Sequence, residues 1–174
     1  MKSEKIKVGI LGGSFDPAHK GHLAISKEAR KRFDLKKIIW AITKKNPFKQ
    51  ESGTSVSKRI KKCKKVIGKN FFIKVKFYED IIKSNKTIDL INYLKKNKNI
   101  KVYFLMGADN LINFHKWHKS ELILKKSNII VFDRHGFKKN SLKSKTFMKL
   151  GKSIITFVEF KKVNISSSQL RKIW

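Results

Sequence analysis

The chain has 174 residues, 40% of them hydrophobic, and 43 Lys and Arg against 12 Asp and Glu give a formal net charge of +31. That length suits one domain with a substantial core. No apolar run nears the roughly 20 residues of a membrane helix and the first one is too short for a signal peptide, so a single cytoplasmic domain over residues 1–174 with no membrane contact is expected.

The first strand-like run covers residues 6–11 and is rich in Val and Ile, the signature of a buried strand. Gly12 and Gly13 end it, permitting backbone conformations closed to residues with a β-carbon and leaving room for a ligand beside the main chain. Ser14, Phe15, Asp16 and Pro17 lead to His19 and His22. Leu23, Ile25, Ala29 and Phe33 then fall at helical spacing over 21–33. A strand, a glycine turn and a helix N-terminus together favour a phosphate, because the free amides point at the ligand. His19 and His22 are three apart and share a side, where imidazoles hydrogen-bond phosphate oxygens and, when protonated, offset developing charge. Neither Gly-x-x-x-x-Gly-Lys-Ser/Thr nor Gly-x-Gly-x-x-Gly occurs after this strand.

A second strand is expected over 37–43, followed by Asn46-Pro47-Phe48-Lys49 and a helix over 56–67. Cys63, within that helix, is the chain's one cysteine, which excludes an internal disulfide, and it has no metal-ligand spacing. Further strands are expected over 71–77 and 100–106, with a helix over 87–96 between them. Gly107 ends the second of these, with Asp109 where a helix over 110–125 begins; its carboxylate suits a helix cap or a ribose. Trp117, eight residues later, is either core or a platform for a flat ring. Runs at 128–132 and 154–158 complete six strands, with a helix over 141–150. Near the end, Ile165-Ser166-Ser167-Ser168-Gln169-Leu170-Arg171 reads as a capped short helix, a second phosphate cradle with Arg171 as its charged fork.

Alternating strands and helices imply an α/β fold with a mostly parallel sheet covered on both faces. Ligands of such sheets bind beyond the strand C-termini, where Gly12, Thr43, Gly107 and the end of the 128–132 run gather.

Gly13, Phe15, Pro17, His19, Gly21 and His22 fill every fixed position of Gly-x-Phe-x-Pro-x-His-x-Gly-His. With the Ile-Ser-Ser-Ser/Thr-x-x-Arg segment at 165–171, the chain resembles the nucleotidyltransferases of Rossmann-like fold. Gly107, Asp109, Phe114 and Trp117 further resemble the Gly-x-Asp-x-x-x-x-Phe-x-x-Trp pattern of the bacterial nicotinate-mononucleotide adenylyltransferases, as does Thr87 in Lys86-Thr87-Ile88-Asp89-Leu90. The chain departs from that pattern at Lys86, Leu90, Phe48, which replaces a histidine, and His135, which replaces a proline after Arg134.

The resemblance implies that His19 and His22 hold ATP and stabilise the transition state, while Gly12, Gly13, Ser14 and Phe15 line the triphosphate. It implies phosphate contacts from Ile165, Ser166, Ser167 and Arg171, a cation from Lys49, and nucleotide contacts from Gly107 and Asp109. Ser14, Thr87, Trp117 and Arg134 would meet the nicotinate mononucleotide. Mg²⁺ is expected to arrive with ATP, since no carboxylate cluster of metal-ligand type is visible. A pantetheine-phosphate adenylyltransferase or a cytidylyltransferase would share both end motifs but lack the Gly107, Asp109 and Trp117 constellation.

The charge admits a different class, a non-catalytic basic RNA-binding domain. Five of the 43 basic residues are arginine and the lysines spread along the whole chain, which codon composition explains more simply. No specific nucleic-acid partner is expected, only weak binding that fades with salt; monomer and homo-oligomer both stay open.

Overall fold

The computed structural model describes residues 4–44, 53–133, 138–144, 147–148 and 154–159. Six strands form one sheet: β1 (Ile6–Gly13), β2 (Lys37–Ile42), β3 (Ile73–Phe77), β4 (Ile100–Gly107), β5 (Asn128–Asp133) and β6 (Ile155–Glu159). Their spatial order is β3-β2-β1-β4-β5-β6, and every pairing is parallel. The order reverses between β1 and β4, so the crevice beyond their C-terminal ends is the place where such a sheet takes a ligand. The last paired residues there are Gly13 on β1 and Gly107 on β4.

Strand alternation divides the core in two. Val8, Ile10, Val102, Phe104 and Met106 face one side, where α4 (Thr87–Leu94), α5 (Ala108–Ile112) and α6 (Ser120–Lys126) supply Ile88, Ile91, Leu111, Ile123 and Leu124. Leu11, Ile38, Trp40 and Leu105 face the other side, under α1 (Lys20–Phe33) and α2 (Val56–Ile67), which bring Ile25, Ala29, Cys63 and Ile67. Helices therefore cover both faces, as the expected α/β class requires.

Several expected boundaries shift. The helix over 21–33 starts at Lys20, and the one over 87–96 stops at Leu94. The strand over 71–77 starts only at Ile73, because Phe71 stays 78% exposed in a turn. A four-residue helix, α3 (Glu79–Ile82), was not expected. The largest correction concerns 110–125, which is not one helix. It divides into α5, a 3₁₀ turn (Phe114–Lys116) and α6, since Trp117 is extended and Lys119 is left-handed at φ +52°. The break lets Phe114 bury completely and turns Trp117 against Phe104. At the C-terminal side, α7 (Lys138–Leu142) begins three residues before the expected 141.

Candidate active site

The loop from β1 into α1 is built around two imidazoles. His19 is the N-cap of α1, and its Nδ1 accepts the Gly21 N–H at 3.1 Å. His22, three residues on, returns the favour: its Nδ1 accepts the His19 N–H at 3.2 Å. This is a capping box in which histidines replace the usual Ser and Glu. An Nδ1 whose lone pair accepts a main-chain hydrogen bond cannot itself carry a proton, so the tautomer assigned to each ring puts its N–H on Nε2. The two rings lie side by side, with centroids 3.8 Å apart.

Buried contacts fix the pair from below. Phe15 stacks on Trp40 at 5.0 Å and 12°, and both rings touch His22. Trp40 Nε1 donates to Ser26 Oγ at 2.8 Å, and that hydroxyl donates to the His22 carbonyl at 2.8 Å. Phe15 is held at φ +49°, in the left-handed region that ordinarily costs a non-glycine residue about 1–3 kcal/mol. Its near-complete burial against Trp40 offsets that cost.

This corrects one half of the expected use of the glycines, the special backbone, and leaves the other, the room beside the main chain. Gly12 and Gly13 lie inside β1 and neither has a positive φ; the unusual backbone is at Phe15. What Gly12 supplies is space, since a β-carbon there would meet only the Phe104 ring, at 3.7 and 3.9 Å. Across that ring stands Trp117, edge to face with Phe104 at 5.9 Å and tilted on Phe114 at 5.2 Å. Trp117 is thus neither fully core nor free. Its indole is partly buried against the same core that takes up Ile88, the residue after Thr87. Thr87 opens α4. Gly107 and not Asp109 precedes α5, so Asp109 sits in the first turn of that helix and not at its N-cap.

The end of β2 closes the crevice on the other side. The Thr43 N–H donates to the Gly13 carbonyl at 3.0 Å. The Lys44 N–H donates to Glu79 Oε1 at 3.1 Å, and Lys44 Nζ pairs with Asp80 at 2.9 Å, a contact that raises the lysine pKa. Burial pushes the Glu79 carboxyl up despite that backbone donor. Arg59, 2% exposed on α2, donates from Nη1 to the carbonyls of Ser14 and Thr43, each at 2.7 Å.

A family model described as cytidylyltransferase-like matches residues 10–173. A protein of Pelagibacter ubique described as a probable nicotinate-nucleotide adenylyltransferase is 65% identical over 99% of this chain and 96% of its own length. The chain belongs to the nicotinate-nucleotide adenylyltransferase family. A Clostridium botulinum protein of the same description is 34% identical over 95% of this chain and 84% of its own length. Among solved structures, the Plasmodium falciparum nicotinic acid mononucleotide adenylyltransferase complexed with APC superposes with a TM-score of 0.78. It is 23% identical, with 97% of this chain and 83% of the other covered, and so speaks for the fold.

Within this adenylyltransferase frame, Gly12, Gly13, Ser14, Phe15, His19, His22, Gly107 and Asp109 gather at the C-terminal ends of β1 and β4 and the helices that follow them. Thr87 and Trp117 belong to segments packed on the face shared by α4 and α5. Lys49, Phe48, Arg134, His135 and the segment from Ile165 through Ser166 and Ser167 to Arg171 lie outside the described residues. Sequence reasoning passed over Arg59, Ser26 and Trp40. For Ser26 a signal existed, since it stands one helical turn after His22; Arg59 looks like its lysine neighbours.

Proposed function

We propose that this adenylyltransferase joins ATP and nicotinate mononucleotide to give deamido-NAD and pyrophosphate. An oxygen of the mononucleotide phosphate attacks the α-phosphorus of ATP in line. The bond from that phosphorus to the α,β-bridging oxygen breaks, and its electron pair leaves with pyrophosphate. The protein's part is positioning and charge stabilisation. The observation that carries the reading is the pair of adjacent imidazoles at the head of α1, each anchored through Nδ1, beside the point where the sheet order reverses. Two imidazoles side by side, each offering Nε2 as donor in this reading, suit non-bridging phosphate oxygens that gain charge as the bond breaks.

In this reading the space over Gly12 admits the triphosphate, with contacts from Gly13, Ser14 and Phe15. Lys49, Ile165, Ser166, Ser167 and Arg171 bind its outer phosphates, and Gly107 and Asp109 take the nucleotide. Thr87, Trp117 and Arg134 receive the pyridine end. Among the described residues no three His, Cys, Asp or Glu side chains gather as a metal group; Mg²⁺ enters as the ATP complex, coordinated by phosphate oxygens and water. The reaction is assigned in this reading to the cytoplasm, the compartment that holds ATP.

The test is pyrophosphate release from MgATP with nicotinate mononucleotide, its amide form and phosphopantetheine in turn. The nicotinate form should be used best. Turnover with phosphopantetheine alone, or with none of the three, would overturn the reading.

A further inference from the structure

Arg59 occupies a position that core packing alone does not explain. Its guanidinium is buried, yet it is surrounded by main-chain carbonyls from three separate stretches of chain. Nη1 donates to Ser14 and Thr43 at 2.7 Å each, Nε to Thr54 at 3.0 Å, and Nη2 reaches the Lys44 carbonyl at 3.5 Å. No ion pair to Arg59 is present among the described residues. A buried cation of this kind costs a great deal unless its donors are well used.

We infer that Arg59 is a positioning residue for the triphosphate loop, an inference that rests on the ATP-binding reading of the Gly12 to His22 segment. The Ser14 carbonyl is the link. In a trans peptide the C=O and the following N–H point in opposite directions, so fixing the Ser14 oxygen on Arg59 aims the Phe15 N–H away from Arg59. Phe15 is also the residue held at φ +49°, a conformation that persists only when its surroundings over-determine it. Trp40 holds its ring and Arg59 holds its preceding peptide. The same Nη1 ties that peptide to Thr43, whose N–H already donates to the Gly13 carbonyl. The ends of β1 and β2 are therefore locked into one frame by a single planar fork. A lysine at this position keeps the charge but lacks the fork.

The experiment compares wild type with Arg59→Lys, Arg59→Gln and a packing control, Ile67→Ala, which empties a buried site on the same helix. Binding of α,β-methylene-ATP is measured first, then KM for ATP and for nicotinate mononucleotide. The Arg59 variants should bind the analogue more weakly and raise KM for ATP by about tenfold or more. Their KM for the mononucleotide, which Ser14 alone of the held residues would touch, should rise far less than that for ATP, whereas Ile67→Ala should leave analogue affinity near wild type at a lower melting temperature. Unchanged analogue affinity in Arg59→Lys would overturn the inference. So would both KM values rising in step, or both Arg59 variants failing to fold while Ile67→Ala folds. Wild-type turnover is a separate readout: if it is absent while analogue binding depends on Arg59, the acceptor assignment fails and the positioning role stands.

Discussion

His19 and His22 complete each other's hydrogen bonding, each Nδ1 accepting a main-chain N–H at the head of α1. Nδ1 of each ring thus holds the loop, and the proposed chemistry falls to Nε2. Substitution can separate the two uses. Asparagine at 19 can still accept from the helix amides but has no Nε2, while alanine loses both. A helix cap is worth about 0.5–2 kcal/mol, and one preorganised donor to a developing oxyanion is worth about 100-fold or more in turnover. His19→Asn should therefore melt close to wild type with turnover down by about two orders of magnitude, and His19→Ala should lose both. His22→Ala should fold and lose turnover to the same extent. Thermal melts beside pyrophosphate release decide it, and near-normal turnover in His19→Asn would remove the donor role.

Two glycines of β1 give opposite expectations. A β-carbon on Gly9 would stand 2.9 Å from Leu35 Cδ1 and 3.1 Å from Ile38 Cγ1, both in the core. Gly9→Ala should cost about 1–3 kcal/mol by overpacking, read from urea denaturation, with KM for ATP unchanged. A β-carbon on Gly12 meets only an aromatic ring at ordinary contact distance. Gly12→Ala should keep its melting temperature and weaken ATP. If Gly12→Ala instead unfolds while its ATP affinity is normal, the open space over Gly12 is not where the nucleotide lies.

These contrasts show what the sequence made legible. The six strands are readable because a buried strand concentrates Val, Ile and Phe between turn residues, and the spacing of His19 and His22 from Gly13 specifies their place. The fragmentation of 110–125 is not readable in that way. Leu111, Phe114, Ile123 and Leu124 all bury, which satisfies a helical pattern even though the left-handed Lys119 breaks the helix between them. Arg59 is hidden for a different reason. In a helix reading Val56-Ser57-Lys58-Arg59-Ile60-Lys61-Lys62, local sequence gives no ground for burying one cation and leaving the rest in water. Only the long-range carbonyls of Ser14 and Thr43 make the difference. Phe15 likewise takes its left-handed backbone from Trp40, 25 positions away in the chain.

Cys63 should be inert in the folded protein. It is fully buried in α2, and burial pushes its thiol up to about 12, with the nearby Arg59 charge pulling the other way. The thiolate is the reactive form, so a chromogenic disulfide reagent at neutral pH should label nothing in native protein and one equivalent in denaturant. Rapid labelling of the native state would mean that α2 opens readily or that the thiol faces solvent.

Glu79 gives a pH signature. Burial raises its pKa in the fold, and the Lys44 N–H and charge offset only part of that shift. A group that binds its proton more tightly when folded stabilises the fold while protonated, and that contribution disappears as pH rises through the folded-state pKa. Glutamine keeps an oxygen for the Lys44 N–H and never ionises. The stability of Glu79→Gln relative to wild type should therefore grow between about pH 4 and neutrality, measured by urea denaturation across that range. A difference that shrinks with pH would show that the ionised carboxylate is the favoured partner of the Lys44 amide.

Ser26 and Trp40 test whether the support beneath His22 is one unit. Ser26 Oγ accepts from Trp40 Nε1 and donates to the His22 carbonyl. Both side chains are completely buried. Removing the hydroxyl alone leaves the indole N–H without an acceptor in an apolar setting, a penalty of about 1–3 kcal/mol. Replacing the indole by phenylalanine removes that donor, but it leaves a smaller ring under Phe15. If the two act together, the double variant Ser26→Ala with Trp40→Phe should cost less than the sum of the singles by about 0.5–3 kcal/mol. The same cycle read in kcat should show coupling, because the hydroxyl's other bond ends on His22, the second imidazole of the proposed site. Additive costs in denaturation and in kcat would mean that the indole and hydroxyl merely pack beneath the histidine and do not hold it as a unit.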